Sequence, residues 1–162
     1  MPGKTYVGMR GCMRDPISEF LHSPRTCLLL VSPNIQKLAD KIDELLVLYD
    51  YPCLSIGRAL SEALLFTLPK HRPHTANQWI RRQVSEMTPG PILITRMTLL
   101  FHPSLELDPL RLMRDVSRRT RMIVAWPGNC ADNVLSYAVP DHAHYRTWRE
   151  PQIPIAYLTQ DE

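Results

Sequence analysis

Two groups of residues in this chain have types and spacing that could do chemistry. The first is Val31-Ser32-Pro33-Asn34-Ile35-Gln36-Lys37-Leu38-Ala39, where an apolar run passes into a helical repeat. In an α/β protein such a turn is where backbone N–H groups and a lysine would hold phosphate, and the helix N-terminus beyond it attracts anions on its own. A working loop of this kind reads G-x-x-x-x-G-K-[ST], and none of its glycines is present here. The second group is Arg111, Arg114 and Arg118, spaced i, i+3 and i+7 so that they share a helix face, with Arg119 and Arg121 just beyond. This patch has three readings: a solvated face complementing the helix dipole, a docking surface for an acidic partner, or a contact for DNA phosphates. Arg72, Arg81 and Arg82 could extend it if the fold makes them neighbours.

Other reactive side chains carry less. The pairs His71/His74 and His142/His144 have no cysteine or carboxylate at ligand spacing except Asp141, which sits beside the second pair. They are expected to be loop histidines, with no metal site. Cys12, Cys27, Cys53 and Cys130 are scattered without close pairing, which fits reduced thiols. No G-x-S-x-G elbow supports nucleophilic hydrolysis. Trp79, Trp126 and Trp148 are expected as core or interface anchors, Trp126 in the core because it closes an apolar run.

The elements that must position these groups follow from periodicity. Residues 26–31, Thr26 followed by an apolar run, suit a strand buried on both faces. Ile35, Leu38, Ile42, Leu45, Leu46 and Tyr49 recur at helical spacing over residues 35–49. Residues 52–56, 91–95 and 122–126 read as further strands, the last closed by Pro127-Gly128. Residues 58–66 and 76–87 read as helices joined by a proline-rich loop over 68–75. Asp108-Pro109 is an N-cap followed by proline in the first turn, opening a helix through Leu110, Leu112, Met113 and Val116. Residues 134–138 suit a fifth strand and 153–158 an edge strand or tail. Around Ile17, Phe20 and Leu21 a short helical lead-in is expected. Strands alternating with helices predict a three-layer α/β domain with a mainly parallel sheet of about five strands, and ligands beyond the carboxyl ends of those strands. The expected division is a lead-in at 1–25, the domain at 26–146 and a tail or edge strand at 147–162.

Composition bounds the rest. The 162 residues weigh 18.7 kDa and are 44% apolar, enough for one continuous core. With 22% charged residues and a net charge of +3, the chain reads neither as a disordered tail nor as a polybasic nucleic-acid glove. Two biases stand out: 15 prolines, about twice the usual share, and a basic set of 19 in which only Lys4, Lys37, Lys41 and Lys70 are not arginine. No apolar run is longer than that at 27–31, which is far too short to span a bilayer. Met1-Pro2-Gly3-Lys4 does not read as a signal peptide, so a cytoplasmic, non-membrane protein is expected.

The string Leu99-Leu100-Phe101, Pro103, Leu105, Leu107-Asp108-Pro109-Leu110-Arg111-Leu112, then Ser117-Arg118, Arg121 and Val124-Ala125-Trp126-Pro127-Gly128 resembles BrxF, the small P-loop protein of BREX phage-defence systems. Leu135-Ser136-Tyr137-Ala138, Pro140, His142 and Tyr145-Arg146 extend the resemblance, which covers most of residues 25–146. It implies a P-loop NTPase-like fold of the additional-strand kind. It also implies larger partners, namely a large ATPase, a DNA methyltransferase and an alkaline-phosphatase-like protein, with DNA and a second copy of the chain as further possible partners.

Against that family the nucleotide-loop equivalent, Ser32, Pro33, Asn34, Gln36, Lys37 and Leu38, departs at each functional point. With Ser32 in the place of the first glycine, Lys37 falls on the last glycine and Leu38 on the catalytic lysine. A one-residue deletion restores Lys37 to register, but Leu38 or Ala39 then replaces the magnesium-binding hydroxyl, and Pro33 has no N–H to give a phosphate. The third strand ends in Thr95-Arg96, where the resemblance predicts an acidic residue for magnesium. Losing these charge-assisted bonds removes about 4–8 kcal/mol of nucleotide affinity. The expected function is therefore a non-catalytic, pseudo-NTPase subunit without a cofactor, acting by assembly with larger defence proteins. The alternatives are an unorthodox ATP- and magnesium-binding enzyme using Lys37, with weak nucleotide binding, or a DNA-binding accessory protein using the arginine patch.

Overall fold

A computed structural model describes residues 15–158. Helix α1 (Pro16–Leu21) leads into strand β1 (Cys27–Ser32) and helix α2 (Ile35–Tyr49). Then follow β2 (Cys53–Ser55), α3 (Ile56–Leu64), α4 (Arg72–Ser85), β3 (Ile92–Thr95) and α5 (Pro109–Val116). Strands β4 (Met122–Ala131), β5 (Val134–Tyr137), β6 (Arg146–Arg149) and β7 (Ile155–Tyr157) complete the described chain. Among the described residues the sheet has seven strands: β2-β3-β4-β1-β7 run parallel, and β5 and β6 add an antiparallel meander on the far end of β4. The expected count of about five describes the parallel part.

The apolar run of β1 is buried along its whole length because both faces are covered. Cys27, Leu29 and Val31 join one core with residues of α3, α4 and α5, whereas Leu28 and Leu30 join another with α1 and α2. The same alternation runs through β4, with Met122, Val124 and Trp126 on the first side and Ile123 and Ala125 on the second. Helix, sheet and helix thus form three layers, with β1 and β4 at the middle.

Three boundaries differ from the sequence reading. Residues 68–75 are not one loop: Pro69–His71 is a 3-10 turn and α4 already starts at Arg72, with Pro73 in its first turn, where a missing N–H costs nothing. Helix α3 begins at Ile56, directly after β2. Strand β4 does not close at Pro127-Gly128 but runs to Ala131, leaving its parallel partner β1 at the Ser32–Pro127 pair and pairing with β5 from Gly128 onward. Gly128 is there for space: a Cβ would lie 1.8 Å from the Ser136 carbonyl oxygen.

That contact makes a test. Gly128→Ala forces the β4–β5 backbones apart and should cost about 3 kcal/mol, a fall of roughly 6–12 °C in Tm for a domain of this size, read by circular dichroism. An unchanged Tm would show that β5 does not pair in this register.

Candidate functional site

The carboxyl ends of the strands are where an α/β fold would place a ligand. The decisive segment there is the connection from β1 to α2, and it is only two residues long, Pro33 and Asn34. A loop that wraps a phosphate has six residues from its first glycine to its last. The short turn arises because Asn34 caps α2: its Oδ1 accepts from the N–H of Gln36 (2.9 Å) and of Lys37 (3.2 Å). Buried Ser32 completes the turn, its Oγ accepting from the N–H of Asn34 at 3.0 Å. Three of the amides an anion would use are thus already bonded to side chains, and Pro33 brings none. The Gln36 side chain donates to Asp40 Oδ1 at 2.8 Å. Lys37 is half-buried and Leu38 faces the α1–α2 core.

Thr95 ends β3 beside Ser55 of β2, and Arg96 follows it, exposed and left-handed at φ 55°. Above β4 the space is filled by an aromatic cluster. Phe101 stacks on Tyr137 with ring centroids 3.9 Å apart, and Trp126 meets Phe101 and Trp148 edge-on at 5.0 and 5.2 Å. The fully buried Trp126 donates its indole N–H to the Ser136 carbonyl at 3.0 Å. The placement of Trp126 in the core is as its strand predicts. A cleft of 450 Å³ opens beside the first turns of α2, against α1, α2 and β7, and Asp15, Lys37, Asp40, Lys41, Glu44 and Tyr157 line it with charges of both signs.

The arginines expected to form one patch divide. Arg121 is a structural clamp facing α1: its guanidinium donates to the carbonyls of Phe20 (2.8 Å), Ser23 (3.2 Å), Arg25 (3.2 Å) and Leu21 (3.3 Å), and lies 4.9 Å from the Phe20 ring centroid. It is set apart from the helix face because it follows α5 by five residues and belongs to the approach to β4. Arg114 is half-buried and donates to the Pro151 carbonyl. Arg111, Arg118 and Arg119 are exposed. Asp115 draws Arg81 of α4 to this face, with oxygens 3.5 Å from Arg81 and 3.6 Å from Arg118. Asp108 caps α5 as its Asp-Pro pair predicts, accepting from the N–H of Arg111 and also from the Trp148 indole at 2.9 Å.

His142 and His144 gain a neighbour that sequence spacing does not reveal. The ring centroids of His102 and His144 are 4.9 Å apart, and those of His142 and His144 are 5.5 Å apart. Each of two of these rings is held by a local hydrogen bond. The Nδ1 of His102 accepts the N–H of Ser104 at 3.1 Å, and the Nδ1 of His142 accepts the N–H of His144 at 2.9 Å. Among the described residues no group of three side chains is placed to hold a metal ion. His71 and His74 are exposed on the 3-10 turn and the first turn of α4.

Cys27 is buried in β1, and burial pushes its thiol up to about 12, partly offset by the Ser117 hydrogen bond and the Arg114 charge. Burial likewise raises the thiols of Cys53 and Cys130. Cys12 and the N-terminal residues read above lie outside the described residues. No helix among the described residues is long and apolar enough to cross a membrane. No protein-family model, curated protein or solved structure matches the chain.

Two measurements check this geometry. Replacing Arg121 by Ala strips four carbonyls of a charged donor and should lower Tm by about 5–10 °C, the effect of roughly 2–3 kcal/mol. For Cys27 the folded thiol stays protonated up to about pH 12, while the unfolded thiol ionises near its ordinary value. Its contribution to stability is therefore complete below the unfolded value and lost as pH rises toward the folded one. Urea unfolding from about pH 8 to 11 should show this alkaline loss, less steep in Cys27→Ala, and Cys27 of the native protein should resist alkylation at about pH 8.5.

Proposed function

We propose that this protein is a pseudo-NTPase, a P-loop NTPase-like α/β domain that serves a BREX-type antiphage defence system as a non-catalytic subunit. It acts by assembling with larger defence proteins: a large ATPase, a DNA methyltransferase and a phosphatase-like protein. The observation that carries this reading is the two-residue β1–α2 turn whose amides are taken by Ser32 and Asn34. A phosphate would have to displace a helix cap, at a cost of about 1 kcal/mol, and would still find no glycine, no wrapping loop and no acidic residue at Thr95 or Arg96. Support for the fold assignment comes from β4, a strand inserted between β1 and β3 as the additional-strand description requires.

Support for assembly comes from the surface after α3. Leu65, Phe66 and Leu68 are 66, 93 and 60% exposed, three large apolar side chains within four positions. Exposed apolar residues clustered in this way mark a protein contact, and the aromatic ring is the type that anchors one.

Calorimetric titration with ATP and magnesium should give no heat at about 1 mM nucleotide, and micromolar binding would overturn the non-catalytic assignment. On co-expression with the other products of its operon, the chain should purify with them, and Phe66→Asp should release it while leaving the circular dichroism spectrum intact. A chain that stays alone would sink the assembly reading.

A further inference from the structure

We infer that the face shared by α4 and α5 docks on the phosphate backbone of duplex DNA through Arg81, Arg111 and Arg118. Asp115 holds Arg81 and Arg118 on one surface although they lie on different elements, and Arg118 is 76% exposed. Arg111 is exposed one turn before Asp115 on α5. Asp115 is the acid between these guanidinium groups, and its ion pairs are long and solvated, so it neutralises them only in part.

Two features select the occupant. A protein partner needs an apolar, desolvated centre to its interface, yet no large apolar side chain between Leu68 and Val139 is exposed. Both α4 and α5 fall within that interval. A phosphate backbone needs only positive charge and donors, and the arginine fork meets phosphate oxygens two at a time. The absence of an exposed aromatic on α4 and α5 also favours a duplex over a single strand, which binds by base stacking. Arg111 lies on α5 and Arg118 in the turn that follows its end at Val116.

The test is fluorescence anisotropy with a labelled mixed-sequence DNA duplex of about 20 base pairs. Three phosphate contacts predict an affinity that falls about 40-fold between about 50 and 200 mM salt. Arg111→Ala with Arg118→Ala should lower the log–log salt slope by about 1.8. Asp115→Asn should tighten binding about 5-fold by removing a negative charge next to the contacted phosphates. Arg58→Ala, at an exposed arginine of α3 paired with Glu62, should change nothing. The inference is overturned by absence of binding at low salt, or by a salt slope indifferent to Arg111 and Arg118. It is equally overturned by displacement of the duplex by polyglutamate of the same charge, or by tighter binding of an RNA duplex of the same length.

Discussion

The parallel pairing of β1 with β4 is the constraint on which the rest of the molecule depends. Six consecutive pairs, Cys27–Met122 to Ser32–Pro127, join two strands that are buried on both faces. No backbone polar group in such a position can turn to water, so the ladder must be complete and in register. A slip of one residue would move Leu29 and Val31 into the layer of α1 and α2 and Leu28 and Leu30 into the layer of α3 to α5. The two cores differ in size and partners, so that exchange is strongly opposed. Every helix takes its place from which side of this pair its connection leaves.

The same pairing decides what happens at the carboxyl ends of the strands. Because β4 outlasts β1 and continues into an antiparallel meander, the region beyond the sheet is occupied by Trp126, Tyr137, Phe101 and Trp148. Because β1 passes to α2 in two residues, the first turn of α2 is closed by Ser32 and Asn34. Polar groups in this region bond to one another: no buried side-chain nitrogen or oxygen among the described residues lacks a partner. The Ser32 and Asn34 bonds and the Trp126 indole bond to Ser136 hold this end of the sheet in one arrangement.

How much of this the sequence discloses depends on the range of the interaction. The apolar run of β1, the repeat of α2 and the Asp108-Pro109 cap are local signals, and each stands where it was read. The Asn34 cap is equally local, an asparagine just before a helical repeat, but the same position also falls in the phosphate-loop frame, so the residue type alone does not decide between the two. The proline at 73 reads as a breaker until the helix is known to start one residue before it. Gly128 reads as a turn because its real reason, the Ser136 carbonyl, comes from a strand whose approach no local pattern encodes. His102 meets His144 across 42 positions and Arg81 meets Asp115 across 34, so only the fold could bring them together.

The two compositional biases explain one another. Each proline removes a backbone N–H, so a chain with 15 of them has more carbonyls than amides to bond them. The arginines supply missing donors near those gaps. Arg72 donates to Thr67 just before Pro69, Arg146 to Leu107 just before Pro109, and Arg114 to Pro151 itself. Arg121 reaches four carbonyls on either side of Pro24. A lysine could not replace it, since one ammonium point charge does not span four oxygens as a planar five-donor fork does. Arginine is thus first a structural residue here, fastening proline-rich turns to the sheet. Arg111, Arg118 and Arg119 stand outside that role, pointing outward from α5 and the turn after it. The charge they carry is left for whatever meets that face.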